Sequence, residues 1–248
     1  MAHMVFGSPI TEETLKGMPE YLNKTTITRT DKAHMALIKK NVAEAQAFEY
    51  MENLKMEECD CDAVITLGSI YNATGGTITY SVKHDFSGKL AEQSTYPVKI
   101  DNGQYSVFKH EGTSGKRSES CGAVVYWGTN KDEKACDWMF SWSNPTNKDN
   151  KANSNDSTWD HVHEEVSKSG TTSACEWKGC FSSMTSTPSN DVKSRVLVDA
   201  TDLRSATQSY MIISFGVVCA VLMSFIWLYL IKKISLWEAS PFKLVSML

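Results

Sequence analysis

The chain has 248 residues, 42% of them apolar and 22% charged, with a mean hydropathy of −0.30; these values exclude a wholly disordered chain, a collagen and a multi-pass membrane protein. A net charge of −4 gives no push toward nucleic acid, and seven cysteines are too scattered for a disulfide scaffold.

In chain order, residues 1–29 read as irregular, punctuated by Pro9, Gly17 and Pro19. Thr30 or Asp31 can then cap a helix over 31–56, because a short side-chain oxygen accepts from an early backbone N–H. Met35, Ile38, Val42, Ala45, Phe48, Met51 and Leu54 recur at steps of three and four and form its apolar face. Residues 1–57 are therefore an N-terminal segment built around one helix.

After Glu57 the period changes to two. Residues 63–72 and 77–83 are rich in Ile, Val, Thr and Tyr and flank ATGG, a hairpin signal. Residues 97–100 and 104–111, around Asn102–Gly103, suggest a second hairpin. Residues 121–128 and 135–143 suggest a third. Residues 144–158 read as a polar loop, 159–168 as a short helix, 175–184 as a strand and 185–208 as a polar linker. The fold class expected is mainly β: an antiparallel β-sandwich over 58–184, preceded by an N-terminal α-helix and followed by one C-terminal transmembrane α-helix.

That last helix is residues 209–231, SYMIISFGVVCAVLMSFIWLYLI, 23 residues without charge or proline. At ~1.5 Å per residue it reaches ~34 Å, enough to cross a ~30 Å hydrocarbon core. Tyr210, Trp227 and Tyr229 lie toward its ends, where aromatic rings suit the headgroup level, and Lys232 and Lys233 close it. The tail, 232–248, carries +2 (three lysines against Glu238). With no signal-peptide core in the opening residues and a span this late, the reading is a single-pass, tail-anchored protein with its domain in the cytosol.

Chemical constellations are sparse. Cys59 and Cys61 lack a second close pair with zinc-ligand spacing, and the DHVHE cluster (160–164) lacks a third ligand. Cys121 and Cys136 face each other across the third hairpin and would stay reduced in the cytosol. Asn23, Asn72 and Asn155 begin glycosylation sequons, which the absence of an export signal makes chance matches. No nucleophile elbow, P-loop, dinucleotide fingerprint or zincin motif occurs, so neither a cofactor nor an enzymatic activity is expected. Aromatic residues concentrate in Tyr105, Phe108, Tyr126, Trp127, Trp138, Phe140 and Trp142. Trp138, Phe140 and Trp142 share one strand face, while Trp127 and Trp142, near strand ends, are placed to meet a lipid headgroup or sugar at a rim.

The blocks VFGSPIT (5–11), YNATG (71–75), YPVKIDNGQY (96–105), FKH (108–110), GAVVYWG (122–128) and CDWMFSWSNP (136–145) resemble the plant jasmonate-induced protein family over roughly 5–185. The resemblance implies a stress-responsive plant protein and no established reaction. A fainter similarity joins a GAVVY strand and a strand ending FSWSNP to actinoporin-like and fungal sphingolipid-binding sandwiches. There, a comparable strand borders a phosphocholine pocket, which implies roles for Ser141, Ser143 and Pro145. Their aromatic segment that follows is replaced here by NKDNKANSND (147–156). The function expected is a non-enzymatic, membrane-anchored binding module for a lipid headgroup, glycan or protein. Its candidate ligand residues are Tyr105, Trp127, Trp138, Ser141, Trp142, Ser143 and Pro145. A pore-forming defence protein that inserts residues 31–56 is the alternative, and a metal-dependent enzyme using 160–164 a lesser one.

Overall fold

The structure is a computed structural model, and it describes residues 4–56, 64–113, 118–145, 151–153, 158–177, 179–186 and 193–201. The apolar run 209–231 with Tyr210, Trp227 and Tyr229, the tail with Lys232 and Lys233, and the Cys59–Cys61 pair lie outside them. Among the described residues no helix is long and apolar enough to cross a membrane.

Two sheets face each other. The larger contains β1 (Val5–Phe6), β2 (Ile65–Ala73), β4 (Lys89–Leu90), β6 (Tyr105–Glu111), β10 (Thr172–Trp177), β11 (Cys180–Ser186) and β12 (Lys193–Thr201). Its order is β1-β6-β2-β12-β11-β10, with β4 also on β6. The smaller contains β3 (Ile78–Ser87), β5 (Lys99–Ile100), β7 (Glu119–Thr129), β8 (Ala135–Pro145) and β9 (Lys151–Asn153), in the order β5-β3-β7-β8-β9. All pairings are antiparallel except β12 on β2.

The alternation of side chains builds three apolar layers. Between the sheets lie Ile70, Phe108, Val124, Tyr126, Trp138, Phe140 and Trp142, so Trp138, Phe140 and Trp142 do share one face. Each large side chain buried in this layer contributes about 1.5–3 kcal/mol. On the outer face of the larger sheet, Leu67, Tyr71, Tyr105 and Val107 meet α2 (Arg29–Met56). On the outer face of the smaller sheet, Ala123 and Met139 meet Val162 and Trp159 of α3 (Trp159–Lys168).

Helix α2 begins earlier than the sequence suggests. Thr28 Oγ1 accepts from the Asp31 backbone N–H and Asp31 Oδ2 accepts from that of Thr28, a reciprocal cap. Its buried face is also rotated from the expected one. Ala33, Ala36, Ala43 and Ala47 are buried with Met35, Met51 and Leu54, while Ile38 and Val42 remain 60% and 75% exposed. Small residues win because the helix lies close to the sheet: the Tyr71 hydroxyl donates to the Ala36 carbonyl at 2.6 Å. The N-terminal segment is therefore part of the sandwich unit, with α1 (Glu12–Lys16), a short 3-10 turn (Pro19–Tyr21) and β1 where an irregular stretch was expected.

The first two expected hairpins are not hairpins. β2 and β3 belong to different sheets, and so do β5 and β6. Every residue of β2 is buried, because α2 covers one face and the second sheet the other. The turn between β2 and β3 must therefore cross between layers. It is locked by Arg29, whose Nε and Nη1 donate to the Thr74 carbonyl and Thr129 Oγ1 at 2.8 and 2.9 Å. Gly75 (φ +76°) makes room, since a Cβ there would stand 2.2 Å from the Arg29 carbonyl oxygen. The third hairpin, β7–β8, pairs as expected. The expected linker 185–208 is corrected as well: β11 runs to Ser186, and β12 fills the gap between β2 and β11. Backbone hydrogen bonds, which polar sequences make equally well, place it there. The expected loop 144–158 likewise contains β9, paired to β8.

Candidate functional site

The seven nominated residues are not gathered in one site. Tyr105 is buried under α2, where its ring meets Tyr71 at 4.4 Å and its hydroxyl donates to Glu44 Oε1 at 3.3 Å. Trp138 and Trp142 lie between the sheets, 2% and 1% exposed, so Trp142 is core and not rim. Ser141 and Ser143 are buried on the opposite face of β8, opposite β9, and Ser143 Oγ donates to Glu119 Oε1 at 2.7 Å. Pro145 ends β8, half-buried. Trp127 alone of the seven is solvent-facing, at 48% exposure.

Cross-strand register puts Trp127 in a defined row. Lys99 of β5 pairs with Thr79 of β3, Thr79 with Trp127 of β7, and Trp127 with Asp137 of β8. Residues directly opposite share a face, so an ammonium, a hydroxyl, an indole and a carboxylate cross the outer surface side by side. Lys99 and Asp137 are exposed. The next row holds Val82, 42% exposed, opposite Val125. Val98, 69% exposed, flanks the edge, its carbonyl accepting from the Tyr80 N–H at 2.9 Å.

Helix α3 explains why this surface is open. Its Trp159 stacks on His84 at 4.8 Å and its His163 on Phe86 at 4.8 Å, so it covers the rows of residues 84–86. The helix also separates His161 from His163, which strands would have kept on one side. Among the described residues no group of three metal-ligating side chains is gathered.

A second polar arrangement sits between the sheets. Ser120 Oγ lies 2.8 Å from His110 Nδ1, and His110 Nε2 lies 3.4 Å from Asp85 Oδ1. The order serine, histidine, aspartate is present, but His110 Nε2 and Asp85 Oδ1 make no hydrogen bond and the ring nitrogens are reversed from those of a catalytic triad. Ser120 and His110 are fully buried, His110 against the Trp142 ring, so the hydroxyl is closed to substrate. The group ties β6 of one sheet to β3 and β7 of the other. Contact with His110, and then with the Lys83 ammonium, holds the Asp85 carboxyl down at about 2 despite its partial burial. Asn144 makes a similar tie, its Nδ2 donating to the Ile65 carbonyl at 3.1 Å.

The cysteines depart from expectation. Cys136 is disulfide-bonded to Cys180, not opposed to Cys121. The hairpin register puts Cys136 opposite Gly128 and Cys121 opposite Ser143, so those two never meet. Burial, followed by the Glu119 charge, pushes the free Cys121 thiol well up, which leaves it unreactive.

The described residues form a helix-flanked β-sandwich with a covered interior and an exposed aromatic row on the smaller sheet. The chain belongs to the Nakanori-like protein family, whose profile matches residues 6–200. The crystal structure of the lipid-binding protein Nakanori is similar with a TM-score of 0.68 and 29% identity, covering 79% of this chain and 99% of that one. The 23 kDa jasmonate-induced protein of Hordeum vulgare is 37% identical over 148 residues, 58% of this chain and 68% of the barley protein. A jasmonate-induced protein homolog of Atriplex canescens is 35% identical over 79 residues, 32% of this chain and 41% of that relative.

Strand register carries no local signal in the sequence. The Trp127–Asp137 pair follows from the β7–β8 turn, but Lys99 and Thr79 join it only through the β3–β5 and β3–β7 pairings.

Proposed function

We propose that this protein is a non-enzymatic, stress-responsive module that binds lipid headgroups through the Lys99–Thr79–Trp127–Asp137 row. The match to lipid-binding Nakanori over four-fifths of the chain carries the reading. The row supplies the chemistry: an indole suited to the membrane interface, flanked by one cation and one anion. That pairing fits a zwitterionic headgroup, with phosphate toward Lys99 and the ammonium toward Trp127 and Asp137. The test is vesicle flotation of residues 1–204, the compact unit that contains the sandwich. Sphingolipid- and sterol-containing vesicles should carry the protein upward; a protein left at the bottom with every composition removes the proposal.

We also propose that residues 209–231 anchor the protein as a single span. Resistance of the full chain to carbonate extraction supports this, and release by carbonate rejects it. The Cys136–Cys180 bond favours an oxidising side for the sandwich over the cytosolic placement expected from the sequence. A glycan on the exposed Asn23 sequon would mark the oxidising side; Asn72, fully buried, cannot accept one. Pore formation requires α2 to leave its sheet and strip cover from Leu67, Tyr71 and Val107. Dye retention in vesicles that bind the protein would dismiss it.

A further inference from the structure

A groove of about 270 Å³ runs between the N-terminal arm and α2, remote in function from the Trp127 row and not used by it. Its walls are held in place. The Ile10 N–H donates to the Asn102 carbonyl at 2.8 Å, Asn102 Nδ2 donates back to the Ile10 carbonyl at 3.2 Å, and Gln104 Nε2 donates to the Gly7 carbonyl at 2.9 Å. Gly7 (φ +90°) touches the helix so closely that a Cβ there would stand 2.6 Å from Ala43 Cβ. The groove is thus preformed, which lowers the ordering cost of binding.

Its lining carries a single charge. Pro9, Ile10, Val42 and Ala43 supply apolar lining beside the hydroxyl residues Ser8 and Thr14, and Val42 is 75% exposed. Lys39 carries the charge of the lining, three residues before Val42 and so on the same helical face. None of the ion pairs among the described residues engages Lys39, and no carboxylate lines the groove. Gln46 adds an amide one turn beyond Val42.

We propose that this groove binds a small aliphatic carboxylate, its chain on Val42 and Ile10 and its head on Lys39. The volume equals the liquid share of about nine waters at ~30 Å³ each, which fits a molecule of about ten heavy atoms. An ammonium head is disfavoured by Lys39, and a neutral head leaves the ammonium unused. The proposal goes beyond the headgroup reading and does not rest on it.

The test is calorimetric titration of the full-length chain with sodium octanoate, octanol and octylammonium. Octanoate should saturate one site in the sub-millimolar to millimolar range and bind at least about tenfold more tightly than the other two. Lys39→Gln should weaken octanoate about tenfold and leave octanol unchanged. Val42→Trp, at a position exposed enough to tolerate it, should fill the groove and abolish the saturable site. Trp127→Ala should leave octanoate binding intact, which separates this site from the headgroup row. Equal binding of octanoate and octanol, or wild-type octanoate binding by Val42→Trp with an unchanged melting temperature, would overturn the proposal.

Discussion

Cys136 of β8 and Cys180 of β11 are joined by a disulfide that ties the two sheets together across 44 residues of sequence. The loop it closes contains β9, α3 and β10, so the cover of the smaller sheet and the β10 edge of the larger one are constrained by one bond. Loop-closure entropy for that separation corresponds to about 4 kcal/mol. Replacing both cysteines by alanine should therefore lower the unfolding free energy by about 3–4 kcal/mol. Guanidinium titration with and without reductant checks this, and the double variant should be insensitive to reductant.

Asp85 makes stability acid-sensitive. Its carboxyl is depressed to about 2 by His110 and Lys83, so the stabilisation is complete above the ordinary carboxylate value of about 3.9. It is lost as pH falls through about 2. Allowing for solvent screening, the amount is about 1–2 kcal/mol. Asp85→Asn should flatten the stability profile between about pH 4 and pH 2, measured by chemical denaturation across that range.

Gly68 lies on the inner face of β2, where a Cβ would stand 2.1 Å from the Phe108 ring. Gly68→Ala should cost about 2–3 kcal/mol through overpacking. Phe108→Leu should recover part of that loss in the double variant, whereas independent sites would simply add. Thermal melts of the four proteins give the coupling.

Trp127→Ala should reduce vesicle affinity at least about tenfold, as the loss of a central aromatic anchor does. Its half-exposed position predicts a melting temperature within a few degrees of the parent protein. Co-sedimentation isotherms beside a melt distinguish lost binding from lost folding.

Much of the local structure was legible. Helix α3 occupies the residues its pattern predicts, Trp159–Lys168, and the β7–β8 hairpin forms around its predicted turn. These elements are governed by short-range rules: a helical period in one case, a turn between alternating strands in the other. The blocks that resemble jasmonate-induced proteins, including GAVVYWG and CDWMFSWSNP, are the strands of that hairpin and its aromatic core.

What failed in each case depended on partners far away in the chain. Turn residues at 73–76 and 102–103 carry a hairpin signal, yet both turns cross between the two sheets. Ile38 and Val42 belong to the apolar face expected for α2, yet they are exposed while Ala33, Ala36, Ala43 and Ala47 are buried beside Met35, Met51 and Leu54; at Ala43 the approach of Gly7 leaves room only for a small side chain. By itself the sequence determined a β-rich chain with an N-terminal helix, an aromatic hairpin, a family likeness and an apolar C-terminal run. Tertiary structure alone decided which cysteines pair, which of Trp127 and Trp142 faces water, and that Lys99 and Asp137 share the row of Trp127. Periodicity records which side of a strand is apolar, but the neighbour across a sheet is chosen by backbone hydrogen bonds and packing that carry no local signature.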